Sequence, residues 1–440
     1  MEFTWSKQTK VNSEDGPSER CWHSFTALGD TVYLFGGLSA EGPCNDVYKL
    51  SQSWGEFQWS KVETTGDAPC PRFRHTASVV GDAIYIIGGF SGPKTRHNDV
   101  WKLDIATGAW SNVVADTGAE GKSNKSVPAP RGSHTADVVG TSIYVFGGYG
   151  GYDFCLKELG DMFIFDTEQN SWKAVTAKGA PSARSGHASC VHKARICVYG
   201  GLSSTGPCDG VHWFDTEAET WKQTTIPGEG QPRWNHSLVP VKGLFNHKIV
   251  ALMGSVPGQD EENSRGIFTS RVSLLDVGPN GMWATGEDTS TEKVATRANS
   301  QVAFDSRKNR AVLFGGFNGN WLSDVLVLDI ASSKNSKDLL EEYELSGKEK
   351  DTISRKLQQK IAEPDRDPPV VAASTVAATV FTGDQRVLNV HTSEAEVPHI
   401  TDSAALFADH FDNSSGEAAL TVDKVGAFLP HLLLPLCIRA

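Results

Sequence analysis

Five histidines recur in this sequence, each three positions after an arginine: Arg20/His23, Arg72/His75, Arg131/His134, Arg184/His187 and Arg233/His236. Imidazole is the commonest metal ligand and the side chain that titrates near neutral pH, so five copies around one axis could hold a metal ring or relay protons. The competing duty is structural, because buried polar groups need hydrogen-bond partners. Eight cysteines (Cys21, Cys44, Cys70, Cys155, Cys190, Cys197, Cys208 and Cys437) are scattered without a CxxC pair, and none is set at zinc spacing. Cys190 and Cys197 flank an expected hairpin and could face each other, while Cys44 and Cys208 occupy matching places in EGPCNDV and TGPCDGV. No Ser-His-Asp, P-loop or HExxH spacing is present.

These residues are carried by a repeated unit. The stretch Pro71 to Trp110 has apolar residues at period two in four short runs, starting near His75, Ala83, Val100 and Trp110, with Gly81-Asp82 as a tight turn. It reads as a four-stranded antiparallel meander, which has open edges and too little core to stand alone. Copies follow in register. Double glycines recur as Gly36-Gly37, Gly88-Gly89, Gly147-Gly148, Gly200-Gly201 and Gly315-Gly316, with Gly254-Ser255 as a worn copy. Each Arg-x-x-His lies upstream of such a pair, the sixth keeping only Arg297 with Ser300, and downstream strands carry Trp59, Trp110, Trp172, Trp221 and Trp283. The sixth repeat lacks its Trp strand, but EFTWSK near the amino terminus matches FQWSK at Phe57 to Lys61 and can supply it. A closure of that kind leaves no radial edge unpaired.

With glycine pair, Trp and Arg-x-x-His recurring at matching offsets, the chain resembles the kelch-repeat β-propellers over about three quarters of its length. The resemblance implies an all-β fold: a six-bladed propeller over residues 1–330, with residues 2–8 as the outer strand of blade 6. It also implies that the repeated histidines make hydrogen bonds within and between blades, and that the arginines are interblade pairing groups.

In that topology the loop before each Arg-x-x-His and the loop after each double glycine share one face. Side chains that vary between repeats there are the recognition candidates, since scaffold duties would have kept them alike. They are Trp22, Arg74, Arg96, Tyr149, Tyr152, Trp234 and Trp321. Trp, Tyr and Arg dominate protein interface energies, and arginine suits a carboxylate. The expected ligand is therefore a protein or peptide, with an acidic motif favoured.

Catalysis is weighed through kelch enzymes. Plant specifier proteins are similar and carry an iron site written E-x3-D-x3-H after a double glycine; here Ser255, Gln259 and Asn263 stand at those positions, so all three ligands are missing. Epimerase-like propellers need only a few polar groups in a pocket and remain the enzymatic alternative. The expectation is a non-enzymatic scaffold or adaptor without cofactor or metal. The fifth repeat also carries a long acidic insertion, GSVPGQDEENSRGIFTS.

The formal charge is -12, which argues against nucleic acid as a main partner. No apolar run approaches a membrane span, and MEFTWSKQTKV has no apolar signal-like core, so a cytoplasmic location, with cytoskeletal association as an extension, is expected. Beyond residue 330 the pattern stops, and from Ala331 on there are 11 Lys and Arg against 17 Asp and Glu. Residues 331–369 read as a charged docking helix or helix pair with stripes that include Leu339, Tyr343, Ile353 and Leu357. Residues 370–402 read as an extended linker. Residues 403–440 read as a helical hairpin exposing Phe407, Phe411 and Phe428, degenerate with respect to an EF-hand because Glu417 stands where the calcium loop needs glycine. This mainly helical tail would dock to a larger assembly. Two alternatives share the binding class: a structural subunit of a cytoskeletal or ciliary complex, and a substrate receptor of a cullin-type ubiquitin ligase.

Overall fold

The structure, a computed structural model, describes residues 2–331 apart from 9–10, 13–14, 54–55, 93, 118–125, 153–155, 229, 242–247, 259–265, 278–280 and 306–307, together with Ala377–Phe381 and Val387–His391. The chain divides into two compact units, Met1–Ser332 and Ser333–Ala440.

Period-two patterning becomes strand wherever the sequence shows it. In Glu2–Lys7, Phe3 and Trp5 are buried while Glu2 and Thr4 are exposed, the alternation of a strand with one covered face. Ala83–Phe90 is buried throughout, as a strand inside a sheet and between layers must be. Among the described residues of the first unit, six sheets of four or five strands follow the repeats in order. The second is typical: Thr76–Val80, Ala83–Phe90, Arg96–Asp104 and Trp110–Val114 form an antiparallel meander.

The first strands of the sheets touch one another in a closed cycle: Ser24–Leu28, Thr76–Val80, Thr135–Val139, Ala188–His192, Ser237–Val241, Gln301–Asp305 and back to Ser24–Leu28. This is a β-propeller, with those strands around the axis. Its sixth sheet combines chain from both ends of the unit, since Glu2–Lys7 runs antiparallel to Val325–Ala331 with Trp5 opposite Leu328. The same strand runs parallel to Glu287–Asp288 on its other side. Phe3 and Trp5 join Leu313, Leu328 and Ile330 in one core cluster with Val250 and Leu252 of the fifth sheet. Burying one such aromatic stabilises by roughly 1.5–3 kcal/mol.

Each outer-strand Trp fills the wedge against the preceding sheet. Trp59 lies 5.0 Å from Phe314, Trp110 5.3 Å from Phe35, Trp221 4.9 Å from Phe146 and Trp283 4.7 Å from Tyr199. The double glycines sit where sheets meet most closely. At Gly36 (φ 61°) a Cβ would lie 2.7 Å from Arg72 O, and at Gly37 (φ 104°) 2.8 Å from His23 Cβ, so both backbone angle and space demand glycine.

In the second unit, Ala377–Phe381 and Val387–His391 pair as an antiparallel hairpin within the stretch expected to be an extended linker. The helices expected at 331–369 and 403–440, with Leu339, Tyr343, Ile353, Leu357, Phe407, Phe411 and Phe428, lie outside the described residues. So do Gln259 and Asn263 of the acidic insertion.

Candidate functional site

The residue just before each repeated His (Ser300 in the sixth repeat) lies on the propeller axis. Trp22, Arg74, Ser133, Gly186, Asn235 and Asn299 all adopt left-handed backbone, with φ between 52° and 61°. Their peptide groups form a closed cycle: Trp22 N–H donates to Asn299 O (3.0 Å), Asn299 to Asn235 (3.1 Å), Asn235 to Gly186 (2.7 Å), Gly186 to Ser133 (3.0 Å), Ser133 to Arg74 (2.9 Å), and Arg74 to Trp22 (2.9 Å). Left-handed backbone costs a non-glycine residue about 1–2 kcal/mol, which six mutually supporting hydrogen bonds offset. Because the ring is built from main chain, its side chains are free to differ, which is why two of them read as recognition residues. The ring lines an axial cavity of about 300 Å³ with the first strands of the sheets. Asp137 also lines it, and burial pushes its carboxyl up to about 7 against the opposing hydrogen bond from Ser189.

The loops expected to share a face do so, for residues just after the repeated arginines bridge to residues just after the glycine pairs: Cys21 to Leu38, Phe73 to Phe90, Ser185 to Leu202 and Ala298 to Phe317. In the fifth repeat Trp234 bridges to Ser255, and Gly254 N–H donates to Arg297 O as Gly37 does to Arg72 O, so Met253-Gly254 rather than Gly254-Ser255 stands at the pair. Of the seven sequence candidates the structure brings two into direct contact. The Arg74 guanidinium stacks 4.3 Å from the Trp22 ring centre, and Trp22 continues to Phe73 (5.9 Å) and Phe90 (6.0 Å beyond Phe73). Trp22 Nε1 and Arg74 Nε are buried and have no hydrogen-bond partner among the described residues. Burial lowers the Arg74 pKa, with no carboxylate among the described residues to oppose it.

The remaining candidates are placed differently. Trp321 sits partly buried 5.4 Å from Phe317, which is 6.3 Å from Phe268. Trp234 is buried, its ring over Gly266. Arg96 is buried as well and donates to Gly151 O, next to partly buried Tyr152 and Tyr149, the latter in a short strand facing Gly132. Phe73 and Phe90, which extend the aromatic run, were not singled out because phenylalanine in an apolar repeat carries no sequence mark of its surroundings.

The repeated arginines do not pair across blades through their side chains as the resemblance implied. Each reaches within its own repeat: Arg20 donates to Gly36 O and Asp46, Arg72 to Gly88 O and Asp99, Arg131 to Gly147 O and Asp161, Arg297 to Gly315 O and Asp324. Their backbone makes the interblade link, with Gly37 N–H donating to Arg72 O and Gly316 N–H to Arg20 O. The histidines do cross between blades: Nε2 of His75, His134 and His187 lies 3.0 Å from hydroxyls of Ser24, Thr76 and Thr135. Burial, then the neighbouring arginines, hold His23, His75, His134 and His187 near a pKa of about 3, so they are neutral scaffold groups rather than proton carriers.

One cluster was invisible to sequence reasoning. Cys70, His97 and Asp116 come together at the surface of the second repeat, although 27 positions separate the first two and 19 the second pair. Asp99 lies beside them, but Arg72 occupies both of its carboxylate oxygens and Asp116 takes His97 Nδ1, so the group is not arranged as a metal centre.

Comparison with known proteins sets this geometry in context. A family model described as the KLHDC2/KLHL20/DRC7 Kelch-repeats domain matches residues 1–124 and 55–254. The chain is 25% identical over 339 residues to the dynein alpha chain of the flagellar outer arm of Chlamydomonas reinhardtii, covering 72% of this chain and 7% of that one. It is 36% identical over 155 residues to N-(sulfonatooxy)prop-2-enimidothioate sulfolyase of Thlaspi arvense, 34% of this chain and 41% of the relative. This chain thus spans under half the length of either. Among solved structures, that of YjhT superposes with a TM-score of 0.56 at 17% identity, covering 73% of this chain and 97% of the other.

Proposed function

This chain belongs to the kelch-repeat family, whose members generally serve as protein-interaction scaffolds, and from that membership we propose that it is a non-enzymatic adaptor that binds an acidic peptide segment at the mouth of its axial cavity. The observation that carries the reading is the Arg74–Trp22 pair: a cation 4.3 Å over an indole, beside buried N–H groups without an acceptor among the described residues, at the place where the six repeats converge. A carboxylate seated there would meet a positive charge and two donors, while Phe73 and Phe90 would cover the apolar part of a peptide. Trp321 is offered as a secondary contact for the same partner, and the tail as the part that docks to a larger assembly.

The test is binding of an acidic peptide library by fluorescence anisotropy to the full chain, with Arg74→Gln and Trp22→Ala. A charge-assisted hydrogen bond contributes about 1.5–3 kcal/mol, so Arg74→Gln should weaken the best peptide by roughly 10- to 100-fold with melting unchanged. Equal affinity of Arg74→Gln and the parent chain would overturn the reading.

The likeness to a flagellar dynein chain over 72% of this sequence favours a second reading, a structural subunit of a cytoskeletal or ciliary complex. Retention in a detergent-insoluble fraction that survives Arg74→Gln would select it. The likeness to a sulfolyase keeps an enzymatic propeller as the alternative to both.

A further inference from the structure

Arg72 satisfies all five of its N–H groups. Nε donates to Cys70 O, Nη1 to Gly88 O and Asp99 Oδ1, and Nη2 to Asp99 Oδ2 and, at 3.3 Å, to Cys70 Sγ. In the first and fourth repeats the last place is taken by serine, Ser18 beneath Arg20 and Ser182 beneath Arg184. Only the second repeat puts a thiol there, and only the second puts a histidine two residues before the aspartate position, where the first and fourth have Cys44 and Cys208. The two changes meet. His97 Nε2 lies 3.4 Å from Cys70 Sγ and 2.7 Å from Ser91 Oγ, while Nδ1 lies 2.6 Å from Asp116 Oδ2. Ser91 Oγ donates to Pro71 O, so the Ser91 oxygen faces His97 as an acceptor and Nε2 must carry the proton.

From this arrangement we propose that Cys70, His97 and Asp116 form a second site, independent of the axial mouth: a thiolate–imidazolium pair that captures soft carbon electrophiles covalently, with α,β-unsaturated carbonyl compounds as the ligand class. Cys70 is exposed, so a small electrophile reaches it. Asp116 fixes the imidazole ring and its charge, and His97 and Arg72 point donors at the sulfur. Addition rather than acyl transfer fits because it needs a nucleophile and one acid, whereas every Arg72 donor is already committed and free for no oxyanion. In the step, Sγ bonds to the β-carbon and the alkene π pair moves to the α-carbon. That carbon takes the Nε2 proton of His97, and the imidazole recovers a proton from water; nothing is oxidised or reduced. The surroundings agree with the ion pair. Burial would raise the thiol, but the hydrogen bond from His97 and the charges of Arg72 and His97 bring it down to about 6. Burial would likewise lower His97, but Asp116 and Cys70 raise it to about 9.

The experiment is alkylation of the intact chain by acrylamide from pH 5.5 to 9, read at Cys70 by peptide mass spectrometry so that other thiols do not contribute. The expected Cys70 rate is half-maximal near pH 6 and changes less than about two-fold from pH 7 to 9, where an ordinary thiol with a pKa near 8.5 gains roughly 20-fold. His97→Gln should restore the steep ordinary profile and lower the rate at pH 6 by about ten-fold, with Asp116→Asn giving a smaller shift in the same direction and both variants melting like the parent. A parent profile that still climbs through pH 8, or a His97→Gln profile superimposable on the parent, would overturn the proposal. Catalytic turnover of p-nitrophenyl acetate dependent on Cys70 would overturn the assignment to addition chemistry.

Discussion

The second and fourth repeats hold the same arginine in two ways. Arg72 is clamped by both oxygens of Asp99, at 2.7 and 2.9 Å, and that carboxylate is itself nearly buried and takes a further bond from Trp101 Nε1. In the fourth repeat Gly210 occupies the aspartate position. Arg184 is left with Gly200 O, Ser182 O and Oγ, and a His212 Nε2 at 3.5 Å. Burial lowers the Arg184 pKa, the direction expected of a cation short of counter-charge. The shared feature is the glycine carbonyl; the carboxylate is optional. What the propeller requires of its arginine is a cap on that buried carbonyl, while its charge is handled locally.

The sharpest way to break this comparison is Asp99→Ala. Removing one partner of a buried pair leaves an uncompensated charge, at a cost of about 3–5 kcal/mol in chemical denaturation. A loss under about 1 kcal/mol would mean that the carbonyls and Cys70 hold Arg72 as well as Gly200, Ser182 and His212 hold Arg184, and the two repeats would be energetically alike.

Acid should treat the two repeats equally. His75 and His187 are both held near 3 by burial, against about 6.5 in the unfolded chain. Between those values the unfolded chain binds the extra proton, so stability falls as pH drops, by about 1.4 kcal/mol per unit for each histidine, or roughly 2 kcal/mol each at pH 5. Asp137, raised to about 7, works the other way between 3.8 and 7, but it is one group against six when His23, His134, His212 and His236 are counted, all of them lowered chiefly by burial. The expected result is a melting temperature that falls steeply below pH 6, with His75→Asn and His187→Asn each flattening the slope to the same degree. Unequal flattening would show that the aspartate clamp also governs the histidine beside it.

The sheets were legible because every scaffold duty recurs. Period-two strands, a glycine pair where a Cβ would meet the next repeat, and a Trp in each wedge are local requirements stamped many times along the chain. Phe3 and Trp5 could be read as a missing strand because they repeat Phe57 and Trp59. Trp22 and Arg74 were legible as unusual but not as axial, since left-handed backbone is announced by Gly186, Asn235 and Asn299 and hidden by a tryptophan or an arginine. The Cys70 cluster was illegible for the opposite reason: it occurs in one repeat only, and Asp116 lies beyond the last strand of the meander, where no pattern ties it to His97.

The smallest expected effect comes from giving the fourth repeat what it lacks. Gly210 has φ 84°, and a Cβ there would press on the flexible end of Gln223, at 3.0 Å, and lie in ordinary contact with His212 Nε2, at 3.7 Å. Gly210→Asp therefore incurs about 1–2 kcal/mol of backbone strain and gains a carboxylate beside Arg184, leaving a net change within about 1 kcal/mol. Gly210→Asn carries the same shape and much the same strain without the charge, so the difference between the two variants isolates the ion pair. Asp should be the more stable by about 1 kcal/mol in urea denaturation at pH 7, and the advantage should vanish below pH 4 as the carboxylate protonates. If Asn matches Asp at pH 7, Arg184 is already satisfied by carbonyl, hydroxyl and imidazole, and counter-charge is not what separates the two repeats.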